Sequence, residues 1–256
     1  MNFVNSLLLL LLVSTFSGNV TEENKSLIAE KGRFVTLKQD DGSGLRVFVA
    51  GPADASAAVL VVHDYLGISD ATKQAVEHLG GLGYLTLAVD LYGGKSATSH
   101  EEAVKLMQAL DRKATDKSLQ SGLNYLKQPG RKLATIGFSM GGQEALNANL
   151  NDPDAVSATV MIYGFGFDKI DAGRLQRLRS PVLAIVGGED NGAAQTAINF
   201  LSSMKEAKRP YEMFIYPGAD HGYAQPLFNG GKNYNAEAVR ATWLLTEDFL
   251  ASRLNP

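Results

Sequence analysis

Residues 132–146 read KLATIGFSMGGQEAL, and this stretch decides the fold. Its first half, Lys132 to Phe138, is an apolar run with the character of a buried strand. Its second half, from Gly141 to Leu150, has helical composition. Between them lies Gly137-Phe138-Ser139-Met140-Gly141, a G-x-S-x-G pattern. That pattern alone arises by chance in about one chain in ten of this length. Set at a strand-to-helix turn it is far more specific, because the turn forces the serine into a strained conformation that exposes its hydroxyl. Side chains at Gly137 and Gly141 would collide with neighbouring backbone. The bland alternative is a strand-helix turn with an incidental serine.

Outward from this turn, short apolar runs alternate with longer amphipathic segments. Phe34 to Leu37 and Leu45 to Ala50 flank the turn-like Asp40-Asp41-Gly42-Ser43-Gly44 and predict a hairpin. Buried strands are expected at Ala58 to His63, Leu85 to Asp90, Ala158 to Tyr163 and Val182 to Val186, with another strand at Tyr211 to Tyr216. Helices are expected over Ser69–Leu82, Ser99–Leu110, Asp116–Leu126, Gly141–Leu150, Ala193–Ala207 and Ala236–Leu254. Such alternation predicts an α/β fold, a mostly parallel sheet with helices on both faces and an antiparallel strand at one edge. No repeat or Pro-rich linker divides the chain, so we expect one domain, residues 19–256, whose reading begins at about Thr21. Too little chain lies between Tyr163 and Pro181 for a large cap domain.

A serine hydroxyl needs a base to become a nucleophile. Of the four histidines, His221 lies in Pro217-Gly218-Ala219-Asp220-His221-Gly222, a loop at a strand's carboxyl end, where functional groups of open sheets collect. His78 and His100 fall on helices and are read as solvated. His63 ends a strand and is read as a packed imidazole. The base in turn needs an acid to fix its tautomer. Gly187-Gly188-Glu189-Asp190 follows a strand; Asp190 is the choice and Glu189 the fallback. Asp220 neighbours His221 and is read as a solvated loop acid. The chain order Ser139, Asp190, His221 is that of α/β-hydrolases. Oxyanion donors are expected from the backbone of Met140 and from the loop His63-Asp64-Tyr65-Leu66-Gly67.

Composition narrows the alternatives. The 256 residues carry 45% hydrophobic and 20% charged residues, a net charge of −3 and no cysteine. No basic stripe suggests nucleic acid. Thiol catalysis and cysteine-based metal sites are excluded, and no clustered His/Asp pattern suggests a metal. No cofactor is called for. Leu7 to Val13 (LLLLLLV) is too short to span a bilayer, and small residues follow it. Residues 1–18 therefore read as a cleaved signal peptide, which places the mature protein in the periplasm or outside the cell.

Taken together, these residues resemble the dienelactone hydrolase family of α/β-hydrolases over nearly all of the presumed mature chain. The resemblance rests on His63-Asp-Tyr-Leu-Gly67, Asp90-Leu91-Tyr92, Gly137-Phe-Ser-Met-Gly-Gly142 and Tyr216-Pro217-Gly218-Ala219 with His221. Asn233-Tyr234-Asn235-Ala236, leading into a helix with Trp243 and Phe249, completes it. It implies Tyr65 and Met140 as oxyanion donors, and a small-molecule ester as substrate. Four positions depart from the family's founding members. Those use cysteine where this chain has Ser139, and often glutamate where it has Asp64. They hold a substrate carboxylate with arginines where it has Gly94 and Gln225. Asp64, Tyr92, Tyr223 and Gln225 are the candidate pocket residues. The expected activity is serine-dependent cleavage of small carboxylic esters. The alternatives are another serine acyl hydrolase or transferase (thioesterase, peptidase, polyester hydrolase), or a non-catalytic binding protein on the same scaffold.

Overall fold

The computed structural model describes residues 31–165 and 172–254. The readings made on residues 1–30 lie outside that range. Eight strands form one sheet: β1 (Arg33–Lys38), β2 (Gly44–Ala50), β3 (Ala57–Val62), β4 (Leu85–Val89), β5 (Lys132–Phe138), β6 (Val156–Ile162), β7 (Val182–Gly187) and β8 (Tyr211–Tyr216). Their order across the sheet is β1-β2-β4-β3-β5-β6-β7-β8. The hairpin β1-β2 is antiparallel and pairs antiparallel with β4; every other pairing is parallel.

The helices are α1 (Asp70–Gly81), α2 (His100–Gln108), α3 (Arg112–Leu126), α4 (Met140–Asn151), α5 (Ala172–Leu175), α6 (Asn191–Glu206) and α7 (Ala236–Leu254). On one side of the sheet, α1 and α7 cover Val59, Val61, Ile136 and Val160. On the other, α3 and α4 cover Leu60, Val62 and Leu87, and α6 covers Val182 and Ala184. That double cover is why β3 reads AAVLVV without alternation and is buried at every position.

Element ends follow local chemistry. The Ser69 hydroxyl caps α1 and the Ser99 hydroxyl caps α2. Helix α3 starts four residues before the expected Asp116, because the Asp111 carboxylate accepts the Ala114 N–H at 2.8 Å. No apolar period marks that first turn. Helix α4 is buried along almost its whole length despite Gln143, Glu144, Asn147 and Asn149. Glu144 is paired with Arg112, and the Asn149 side-chain N–H group donates to the hydroxyls of Thr159 and Ser180, while Asn149 Oδ1 is left without a partner among the described residues.

The sheet order explains where a site can form. From central β3 the chain winds outward to β4, then returns to β5 on β3's other side. Loops leaving the carboxyl ends of β3 and β5 diverge there and open a crevice at the switch point. The loop after β3 carries Tyr65, and the turn after β5 carries Ser139.

Candidate active site

Ser139 sits in the left-handed region (φ 54°), a conformation rare for any residue with a Cβ. The glycines around it are required by contact. A Cβ on Gly137 would lie 1.8 Å from the Gly141 carbonyl oxygen, and one on Gly141 would lie 2.3 Å from that of His63. The turn between β5 and α4 therefore packs backbone on backbone, and Ser139 is pushed to its tip.

There the Ser139 hydroxyl lies 2.9 Å from His221 Nε2, and His221 Nδ1 lies 2.6 Å from Asp190 Oδ2. The three residues expected from the sequence are thus brought together in the expected order. Asp190 is also the N-cap of α6, its Oδ1 accepting the Ala193 N–H. Glu189, the fallback acid, donates its backbone N–H to the Ala219 carbonyl at 2.9 Å, and the carboxylate placed on the imidazole is that of Asp190. Asp220 accepts the His221 backbone N–H at 2.7 Å and so shapes the loop.

Behind these groups the structure adds supports. The Asn233 side chain donates to the His221 carbonyl at 2.8 Å, and Asn235 caps α7 through the Ala238 N–H. Rings pack around the imidazole: Tyr163 at 5.5 Å and Phe228 at 5.4 Å between centroids. Sequence reasoning did not single out Tyr163 or Phe228 for the site. The one local signal was Gly222, where a Cβ would meet the Phe228 ring at 2.7 Å.

The loop after β3 is held from below by His63. The Leu91 N–H donates to its Nε2, so Nδ1 carries the proton and donates to the Asp64 carbonyl at 2.6 Å. Complete burial pushes the His63 pKa down, and the ring is a neutral strut between two loops, the packed imidazole expected. His100 is not simply solvated: its Nδ1 meets the Tyr65 hydroxyl. His78 pairs with Glu247 and stacks edge-on with Trp243.

Tyr65 and Met140 flank the nucleophile, and neither backbone N–H is taken up by another group among the described residues. The Tyr92 hydroxyl donates to the Tyr65 carbonyl (3.1 Å) and touches the Met140 sulfur (3.4 Å). Tyr92 is therefore a buried link between those two residues and lines neither cavity described below. Tyr223 requires a larger correction. It was expected to wall the pocket, yet it is fully buried in the core between the sheet and α7 and bonds Thr242. The loop after His221 is a string of tight turns, which aims the second residue inward.

Asp64 is buried, accepting the Leu66 N–H and the Gln225 side-chain amide, both at 2.8 Å. Burial raises its pKa. Gln225 is thereby occupied by Asp64 and Ser69. Two cavities adjoin the turn, one on each side of Ser139. Phe138 lines a cavity of about 250 Å³ between α1 and α7, together with Asp64 and Gln225. Met140 lines an opening of about 470 Å³ between α2, α3 and α4, where Arg112 is neutralised by Glu144 and Asp116. Lys95 lines neither. Arg174 is turned to Asn147 and Asn151.

A hairpin-edged, mostly parallel sheet with helices on both faces, no large cap and a serine at the β5–α4 turn defines an α/β-hydrolase. A model of the dienelactone hydrolase family matches residues 45–254, and the chain belongs to that family. A protein of Saccharolobus solfataricus named "Putative carboxymethylenebutenolidase" is 26% identical over 251 residues, covering 82% of this chain and 95% of that one. Among solved structures, a dienelactone hydrolase-like promiscuous phosphotriesterase from metagenomic libraries superposes with a TM-score of 0.77. It shares 22% identity, covering 89% of this chain and 99% of its own. A dienelactone hydrolase-type protein from Klebsiella pneumoniae superposes with a TM-score of 0.74 at 20% identity, covering 87% and 98%. At these identities the likeness is one of fold.

Proposed function

We propose that the protein is a serine hydrolase of small, neutral carboxylic esters, lactones included. The observation that carries this reading is the relay Ser139–His221–Asp190, with contacts of 2.9 and 2.6 Å. Ser139 Oγ attacks the ester carbonyl and passes its proton to His221 Nε2. Asp190 holds the Nδ1 proton and stabilises the imidazolium. The backbone N–H groups of Tyr65 and Met140 receive the negative oxygen of the tetrahedral intermediate. When it collapses, the alcohol leaves with the proton from Nε2 and the acyl group stays on Ser139. Water repeats the sequence, giving up a proton to His221 and releasing the acid and free Ser139.

A neutral substrate is favoured by the charges present. The one arginine lining the opening beside Met140, Arg112, is already paired with Glu144 and Asp116. The leader reading places this activity in the periplasm or outside the cell; mass spectrometry of the native mature protein should find an amino terminus between about Ser14 and Val20.

The test is active-site titration. An aryl phosphonate should label Ser139 once per chain, with 4-nitrophenyl acetate hydrolysis lost in proportion. Ser139→Ala should be folded, unlabelled and inactive. Near-normal turnover by folded Ser139→Ala would overturn the proposal.

A further inference from the structure

The cavity between α1 and α7 contains more polar capacity than the proposed triad uses. Tyr163 lines it and is only 1% exposed. It is held at φ 40°, a strained conformation for a bulky residue. Its phenol brings a hydroxyl donor to the cavity wall. Asp64 lines the same cavity. Each of its oxygens already accepts one hydrogen bond, while a carboxylate has about four lone-pair sites. The two groups are close enough that Asp64 helps to hold the Tyr163 hydroxyl protonated. A donor and an acceptor thus face one space.

The other walls are apolar and aromatic. Phe138 and Trp243 lie 6.3 Å apart, tilted by 53°, and form a continuous surface that Val239 and Tyr234 extend. On the α1 side the chain places Ala71 and Ala75, leaving room. At about 250 Å³ the cavity is well above the roughly 150 Å³ that accommodates a benzene ring in an engineered protein core. Water would satisfy the polar end but leave the aromatic end poorly solvated.

We infer that this cavity is a binding site for a neutral monocyclic aromatic alcohol, a ligand of the phenol class. Its hydroxyl donates to the Asp64 carboxylate and accepts from the Tyr163 hydroxyl, and its ring lies on Phe138 and Trp243. With no Lys or Arg lining the cavity among the described residues, an aromatic carboxylate would meet Asp64 without a counter-charge and is excluded. Binding does not require Ser139 to react, because neither Ser139 nor His221 lines the space.

Trp243 is the only tryptophan of the chain, so its emission reports occupancy. The experiment titrates Ser139→Ala protein with 4-methylphenol, toluene and benzoate. 4-Methylphenol should change Trp243 emission saturably, with a dissociation constant between about 0.1 and 10 mM, as befits about eight non-hydrogen atoms. Tyr163→Phe should weaken 4-methylphenol about fivefold, the worth of one neutral hydrogen bond, and leave toluene unchanged. Ala71→Phe, at a half-buried position, should fill the space and abolish binding of both; it serves as the second arm if Tyr163→Phe does not fold. Wild-type protein phosphonylated at Ser139 should bind 4-methylphenol as before. The inference is overturned by absence of saturable binding, by benzoate binding as tightly as 4-methylphenol, or by insensitivity to both substitutions. Loss of binding on phosphonylation also overturns it, since the phenol would then sit in front of the nucleophile. Because these titrations involve no turnover, failure of the esterase proposal would be seen separately.

Discussion

Replacing Tyr92 by phenylalanine removes one oxygen from a buried position and tests how the proposed oxyanion hole is held. The hydroxyl donates to the Tyr65 carbonyl at 3.1 Å and lies 3.4 Å from the Met140 sulfur. Burial keeps it protonated, so it acts as a donor at every working pH. Its loss leaves the Tyr65 carbonyl without that donor in a dry site, which costs about 1–3 kcal/mol. For a protein of this size that corresponds to a fall in Tm of roughly 2–10 °C. The kinetic effect is a different quantity. Deleting a whole oxyanion donor costs about 10²–10³ in kcat, so loosening the peptide that carries the Tyr65 N–H should cost a part of that, about tenfold. Because the oxyanion exists only in the transition state, KM should stay within about twofold. The assay is kcat and KM for 4-nitrophenyl acetate beside a thermal melt of the same preparation. A lowered Tm with unchanged kcat would refute the reasoning and leave Tyr92 as packing. A raised KM with unchanged kcat would refute it too, by making Tyr92 a substrate contact.

Three further outcomes are expected. Asp190→Asn should lower kcat by up to about 10⁴-fold through the wrong imidazole tautomer, whereas Glu189→Gln should be mild; the reverse result would move the acid by one residue. Neutral esters should exceed matched anionic ones in kcat/KM by at least about tenfold, and a preference for the anion would show that an arginine or lysine reaches the substrate. His63 is held neutral by burial, so its folded pKa lies below the unfolded value near 6.5. Above that value both states are neutral; as pH falls below it the unfolded chain takes up a proton that the folded chain refuses, and stability is lost. The raised carboxyl of Asp64 acts in the opposite sense, so the measurement is the difference between wild type and His63→Asn in urea midpoints at pH 7.5 and about pH 5. A wild-type midpoint that falls no more steeply than that of His63→Asn would exclude His63 as a source of acid sensitivity.

Much of this architecture is legible in the chain because burial on both faces and tight turns leave local marks. AVLVV at 58–62 has no alternation because helices lie above and below it, and the glycines around Ser139 are there because no Cβ fits. Long-range pairing leaves no such mark. Nothing near Gln225 announces that its amide is used by Asp64, 161 residues away, and nothing near Tyr92 announces Tyr65 and Met140. Tyr223 misled for a related reason. Proximity to His221 along the chain suggested a place in the pocket, but the direction of a side chain in successive turns is set by the backbone path. Tyr163, which faces the cavity, looked like the end of an ordinary core strand. The start of α3 was hidden because Asp111 makes it, not an apolar period.

Asp190 has one carboxylate oxygen on the first turn of α6 and the other on the imidazole of His221. The proposed acid is thus shared between a structural task and a chemical one. Fraying of that first turn would release the imidazole before the sheet lost any strand, so hydrolysis should fail on heating or in mild denaturant ahead of global unfolding. For the same reason the acid is fixed in its place along the chain: moving it by a residue would have to move the start of the helix as well.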